Sequence, residues 1–460
     1  MDESVLKNYP LLFRYFSHKP ILQVLLLLTV SFMVSGAVVF NPYGPVAFLA
    51  LPAILLVTLV IFKHPQVGLY LVILAIPFDS HFLSLGPVNL SASNALIVTT
   101  LLAWLLAHLF SKSHMVKDIN YLLIAWMMLT ALMSTFVAID PDIHIRKIVT
   151  LIGCGLIYFL TVNLIKDTKT LNKVLLFLGL AIFMTVAIAI IQSVGYHFWG
   201  LTLRVGRMWE FAGPGIPLLL PRVTSVWVDP NAYGFFLLTG LPALFYFALR
   251  SKTNKISYIV LAAFVLFGLF LSYSRGAWVG LAASLVVIVL ILLSHRSNKK
   301  SWPVIFTGFT SVALVVGVVL FDLIRIPVDF IIGLNPEAAA HRIELWVSAI
   351  NTFLANPVLG VGFGGFLAQY DWDIHNSILE PLVAMGFLGS LPFFILITRI
   401  LKLGAGNLRE DIGVALVVCF IGLVVASFFI SGFFLKNLWF LMGLIVATAK
   451  IEKRNGYSKT

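Results

Sequence analysis

Charge is scarce in this sequence: 11% of its 460 residues are Asp, Glu, Lys or Arg, against 60% hydrophobic. A water-soluble protein of that length would need a largely apolar surface, so the soluble globular class is excluded. Disorder, collagen and coiled coil are excluded by the same figures. Acidic residues are scarcer than basic ones, 19 against 31, for a net charge of +12. In an apolar chain, basic residues fix orientation in the bilayer, so no nucleic-acid partner is expected. Cysteine is nearly absent. Cys154 and Cys419 sit in apolar runs with no CxxC or CxxH neighbour, which argues against a disulfide or zinc site. No Walker motif, GxSxG elbow or HExxH occurs, so ATPase, lipase and metalloprotease readings fall away.

What the sequence has in quantity is long apolar runs. A crossing needs about 20 mainly apolar residues. On that rule there are up to fourteen candidate spans, of which 66–78 and 435–449 are short. The expected fold is therefore all-α: a polytopic membrane protein of about 12–14 transmembrane helices, a single transmembrane domain over 1–460. Asp2, Glu3 and Lys7 precede the first apolar run, which reads as a retained helix rather than a cleaved signal peptide. With the N-terminus in the cytoplasm, 22 of the 31 basic residues fall inside and 9 outside, in strict alternation. Both ends are expected to be cytoplasmic. Lysine supplies most of the inside charge but only Lys147 and Lys436 outside. The other seven outside cations are arginines, the residue suited to bidentate binding of phosphate or carboxylate.

Two outside loops are long, about 196–230 and 325–374, and loops of that length are usually functional or partly structured. The second contains HRIELWVSAINTFLANP, apolar at Ile343, Trp346, Ile350 and Leu354, which predicts an amphipathic helix at the membrane surface. Five histidines fall outside: His81, His144, His197, His341 and His375. A lone histidine is usually structural. His375 stands out because it ends the longest loop just where an apolar helix begins. Arg275, in LSYSRGAW, has the same placement, and Arg222 precedes VDPN just before another helix. Helices starting near Asn231, Gly276 and Asn376 all point their N-termini outward. Together with arginines they suit an anion such as a diphosphate, although ordinary polar helix starts would look the same. The glycines at 360, 362, 364 and 365 read as a flexible loop, since no strand precedes them. The pairs Asp140/Asp142 and Asp371/Asp373 have a spacing that can hold a divalent metal. The nucleotide sugars such metals usually serve are not available on that face, so neither metal nor cofactor is expected.

These residues carry a resemblance. His375-Asn376, nine residues, then Gly386-Phe387-Leu388-Gly389 is similar to the H[NSQ]x9GxxG pattern of bacterial O-antigen ligases. LSYSRGAWVGL resembles the SRGA segment of the wider family that includes Wzy-type polysaccharide polymerases. RVTSVWVDPNAYG resembles its Arg…Pro-Asn element, though with Asp229 and without a preceding glycine. RIELWVSAINTFLANPVLGVGFGGF resembles the stretch before the family histidine. The likeness covers about 220–390.

The resemblance implies a GT-C-like membrane glycosyltransferase. Its donor would be a glycan on undecaprenyl diphosphate, used at the outer face of the bacterial cytoplasmic membrane. Its acceptor would be lipid A core, another acceptor or the growing polysaccharide. His375 would be the base on the acceptor hydroxyl, with inversion at the anomeric centre. Arg222 and Arg275 would bind the diphosphate, with Arg342 as a third anion contact. Ligase is the leading form and polymerase the alternative within the family, with a chain-length regulator protein as a partner left open. A transporter or flippase of lipid-linked sugar is the alternative from another class; no internal repeat or midplane charge favours it.

Overall fold

The computed structural model describes residues 44–79, 81–85, 88–111, 115–200, 222–297, 336–407 and 411–456. The expected spans 21–40 and 303–324, with Arg204, Arg207 and Arg325, lie outside the described residues. In chain order the helices are α1 (Gly44–Lys63), α2 (Pro65–Ala75), α3 (Ala92–Ser111), α4 (Asn120–Met133), α5 (Pro141–Leu164), α6 (Thr168–Trp199), α7 (Pro230–Leu237) and α8 (Leu241–Arg250). They continue as α9 (Lys255–Ser272), α10 (Arg275–Ser297), α11 (Pro336–Ala355), α12 (Gly365–Tyr370), α13 (Leu379–Asn407), α14 (Asp411–Ala426) and α15 (Lys436–Arg454). Strands β1 (His81–Leu85) and β2 (Val88–Ser91) form one short antiparallel hairpin. Eight helical segments among the described residues are long and apolar enough to cross a bilayer. The protein is an all-α polytopic membrane protein.

The chain divides into two compact units. One comprises residues 1–72 and 94–117, and its described part is α1, most of α2 and α3. Leu69 and Val72 of α2 are buried there, as are Ile97 and Ala103 of α3. The other unit comprises residues 73–93 and 118–460 and holds the remaining elements.

Local chemistry sets the helix starts in the second unit. Asp140 caps α5 by accepting from the Ile143 N–H at 2.9 Å, with Pro141 in the first turn. Asp229 caps α7 in the same way, from the Asn231 N–H at 2.8 Å, ahead of Pro230. An Asp followed by Pro satisfies one free N–H and removes the next. Asp140 therefore has a capping role within the pair Asp140/Asp142.

Among the described residues of the second unit, α15 is the most deeply buried long helix. Its residues from Leu438 to Ile445 are all buried, and Trp439 is 0% exposed. Phe393, Phe433 and Phe434 pack around it, with Phe393 and Phe433 ring centres 4.8 Å apart in a T-shape. Lys436 at its start is buried and paired with Asp79. At its other end Lys450 lies 3.9 Å from Asp118, which also accepts from the Tyr158 hydroxyl at 2.6 Å. Arg399 joins that end through Asn120, at 2.9 Å.

The glycines at 360–365 are not a flexible loop. They form a buried turn pinned by backbone bonds: Val361 N–H to Val383 O at 2.9 Å, Gly362 N–H to Ala384 O at 3.0 Å, and Ile139 N–H to Val361 O at 3.1 Å. His144 completes the clamp. Its Nδ1 accepts from the Phe363 N–H at 2.8 Å while Nε2–H donates to Ala131 O at 3.1 Å. Both bonds require the neutral Nε2–H tautomer, so His144 is a structural histidine.

Gly386 shows why the GxxG spacing matters physically. Its φ of 62° and ψ of −167° lie in a region open almost only to glycine, and they kink α13. A Cβ there would stand 2.3 Å from the Val358 carbonyl. Gly386→Ala is expected to cost more than about 1–3 kcal/mol, read as a lowered unfolding midpoint of the detergent-solubilised chain. Gly179→Ala is the control. It sits inside α6 with nothing within 4 Å of the methyl it would gain, so its midpoint should hold or rise.

Candidate active site

Four anticipated residues come together at one end of the second unit. Arg222 lies just before α7, Arg275 opens α10, Arg342 is on α11, and His375 precedes α13. The charges acting on Arg222 are those of Asp229, Arg275 and Arg342. Arg342 in turn responds to Arg275 and Asp229. His375 feels Asp373, Asp229, Arg342 and Lys147. Arg222 and Arg342 thus both feel the Asp229 carboxylate and the Arg275 guanidinium, an arrangement with more positive than negative charge to offer an anion.

Each side chain is placed by identifiable contacts. Arg222 Nε donates to the Ser272 carbonyl at 3.1 Å and an Nη donates to Asn231 Oδ1 at 2.8 Å. Asn231 also donates to Asp229, at 3.0 Å. The loop before α7 is thereby tied to the end of α9. Burial drives the Arg222 pKa down to about 10, against the pull of Asp229, and the neighbouring Arg275 and Arg342 add to the fall. Arg342 is lowered for the same reason, burial first.

α11 carries both Arg342 and, one turn on, Trp346. Trp346 Nε1–H donates to the carbonyl of Ile374 at 3.1 Å, directly before His375. After His375, Asn376 Oδ1 accepts from the N–H groups of Ile378 and Leu379, capping α13. Ser377 then ties the loop to Ile430 at 2.6 Å and to the Phe433 N–H at 3.1 Å. The expected stripe on α11 is split. Ile343, Ile350 and Leu354 are exposed, joined by Val347, whereas Trp346 turns inward with Leu345 and Ala349. The helix is apolar on two faces.

His375 has φ of 49°, a left-handed conformation that a side chain rarely adopts. Ser225 (55°), Tyr273 (48°) and Asp371 (58°) do the same. Ser225 and Tyr273 stand next to the arginine-bearing turns. Such conformations persist only when surroundings over-determine them, and they collect at functional sites. Burial lowers the His375 pKa below the ordinary histidine value; Asp373 and Asp229 oppose the shift, while Arg342 and Lys147 reinforce it. The imidazole is therefore neutral at pH 7 and able to accept a proton.

The sequence did not point to Lys147 or Glu380 as site residues. Lys147 Nζ lies 3.7 Å from Glu380 Oε1 and 4.5 Å from the centre of the Phe434 ring. A signal existed for each: Lys147 is a rare lysine among the cations expected outside, and Glu380 is an acid in the first turn of an apolar helix. The remaining histidines go elsewhere. His341 pairs with Glu344 at 3.9 Å and stacks edge-on against Trp372, and His197 bonds the Ser193 carbonyl at the end of α6. Of His81 the structure describes the strand backbone.

Residues 258–394 match the family model described as O-antigen ligase. This stretch of the chain is similar to the O-antigen ligase family. Arg275, Arg342, His375, Glu380 and Gly386 fall inside the matched stretch; Lys147, Arg222 and Asp229 fall outside it. Curated proteins similar to this chain include a "Putative polysaccharide ligase" of Rickettsia typhi, 26% identical over 215 residues, 42% of this chain and 49% of the relative. One from Rickettsia prowazekii has the same identity and coverage, and one from Rickettsia conorii is 23% identical over 214 residues, again 42% and 49%. The chain spans about half the length of the curated relatives it matches.

Proposed function

We propose that this protein is a membrane glycosyltransferase that moves a glycan from an undecaprenyl-diphosphate carrier to an acceptor hydroxyl. The observation that carries the proposal is the meeting of Arg222, Arg275 and Arg342 with a neutral histidine, His375, around Asp229. The leaving group in such a transfer is a lipid diphosphate, and fixed guanidinium groups stabilise the charge that develops on it. α7 and α10 begin beside these arginines and add the positive ends of their dipoles. His375 removes the acceptor proton, and direct attack inverts the anomeric centre.

The reaction belongs at the outer face of the cytoplasmic membrane, with both chain ends in the cytoplasm. The 22 to 9 split of basic residues supports that orientation. So does the sorting of cations in the second unit: Lys450 and Arg399, both assigned inside, gather about Asp118 and Asn120 at the start of α4. Ligase is the form favoured by the histidine motif, with lipid A core or another envelope glycan as acceptor.

The test uses the purified full chain with an undecaprenyl-diphosphate-linked repeat, EDTA and no second acceptor, resolved on a gel. Donor consumed only after lipid A core is added is the expected, ligase outcome. A ladder without added acceptor identifies a polymerase. No reaction with either acceptor, with or without divalent metal, sinks the enzyme and favours a transporter.

A further inference from the structure

Trp372 is an indole left outside a core that its own segment helps to build. That segment is anchored at both ends. Phe366 and Ile374 are buried in one cluster with Leu345 and Val383, and the Ile374 carbonyl accepts from Trp346. Between these anchors Tyr370 and Trp372 are 40% and 54% exposed. Both rings are nevertheless held. Tyr370 stacks on Phe366 at 4.5 Å and 30°, and Trp372 meets His341 edge-on at 5.0 Å and 76°. The turn between them is closed by Asp371 in the left-handed conformation, its N–H on the Leu367 carbonyl at 2.8 Å. Lipid is the ordinary cover for such a ring, and two observations set it aside. Among the described residues the other exposed tryptophans, Trp126 and Trp199, belong to candidate membrane spans, whereas Trp372 does not. The charges about Trp372 are also acidic. Asp371 and Asp373 flank it in sequence, and its partner His341 lies 3.9 Å from Glu344. Aromatic anchors at a headgroup layer keep basic company instead.

We propose that Trp372 is the stacking platform of a saccharide subsite, where a neutral sugar of the acceptor glycan lies on the indole and donates hydroxyls to Asp371 and Asp373. The inference rests on the glycosyl-transfer reading above and deepens it. The negative face of an indole attracts the C–H face of a sugar ring, and its breadth excludes water from the contact. Carboxylates accept hydrogen bonds from the hydroxyls at the ring's edge. The same acids repel a diphosphate, which separates this subsite from the arginines. Position supports the assignment. Trp372 stands three residues before His375, at most about 11 Å along the chain, and His341 directly precedes Arg342. A sugar on the platform is therefore a short reach of glycan from the base.

Saturation-transfer NMR on the full chain in nanodiscs with EDTA tests this, using cellobiose, lactose and chitobiose as neutral probes. At least one should bind the wild type and Gly179→Ala alike. Trp372→Ala should bind it about tenfold more weakly, and Trp372→Phe should recover part of the loss. Asp371→Asn keeps the left-handed turn, which asparagine tolerates, and should also weaken binding. With donor and acceptor both supplied, Trp372→Ala should raise the KM for acceptor and leave kcat and the donor KM near wild type. The subsite is overturned if no probe binds the wild type, or if Trp372→Ala binds as well as the wild type does. It is equally overturned if the donor KM rises instead. Trp372 emission, taken as wild type minus Trp372→Phe, should resist quenching by brominated lipid; strong quenching would make the ring an interfacial anchor and sink the proposal. Failure of the underlying reading looks different. Sugars would then bind through Trp372 while the lipid-diphosphate donor is never consumed, and the acceptor role would fall with the transfer.

Discussion

If the chain performs the proposed glycan transfer, His375→Ala is expected to lower its rate by about two to four orders of magnitude while the donor remains bound. The expectation follows from the division of labour at the site. The arginines proposed to hold the diphosphate lie on other segments, so truncating the imidazole should remove the proposed proton acceptor and leave the anion site standing. Single-turnover rates and a separate donor-binding measurement distinguish the two. Equal loss of both would mean that His375 holds the loop instead of accepting a proton. The wild-type pH profile carries a second signature. Burial disfavours the imidazolium, so the folded pKa lies below the ordinary 6.5 and the base stays neutral until the pH falls beneath that value. Activity should therefore hold across neutral pH and fall only at lower pH. Asp373→Asn removes a carboxylate that stabilises the imidazolium and should move this acid limb further down. Lys147→Met removes an opposing cation and should move it up.

Arg222→Ala is the other large effect, a loss of about 10²–10³ in transfer rate. Arg222 combines two tasks: it stands among the guanidinium groups, and its fork ties Ser272 to Asn231. Arg222→Lys keeps a positive charge but cannot reach both partners in one plane, so it should recover only a small part of the rate. The unfolding midpoint of both variants belongs beside the kinetics. A lysine variant with full activity would show that charge alone suffices and that the fork is dispensable.

Much of this site is legible in the sequence alone. Arg222, Arg275, Arg342 and His375 each stand at or near a helix end, and a helix end is a feature of local sequence. What local sequence cannot reveal is that Lys147, at the start of α5, meets Glu380, at the start of α13, across more than 200 residues. The glycine run misleads for a related reason. Its order comes from His144, Val383 and Ala384, none of them neighbours in the chain. α15 looks like a short last span because Lys436, Lys450 and Lys453 dilute its apolar character. It is nevertheless the most deeply buried long helix among the described residues of the second unit, because Lys436 and Lys450 are paired with Asp79 and Asp118 at its two ends. Hydropathy counts charges and does not see their partners.

The two apolar faces of α11 have a mechanical consequence. Its inner face, through Leu345, Ala349 and Trp346, joins the packing beneath His375, while Ile343 and Leu354, 60% and 65% exposed, face away from the protein. Acyl chains are the natural cover for that outer stripe, so the depth at which α11 rides is set jointly by protein and bilayer. Arg342 and the Trp346 hold on Ile374 ride with it. Membrane thickness thereby becomes a variable of the site, and a thinner or thicker hydrocarbon layer should tilt or lift the helix that carries Arg342.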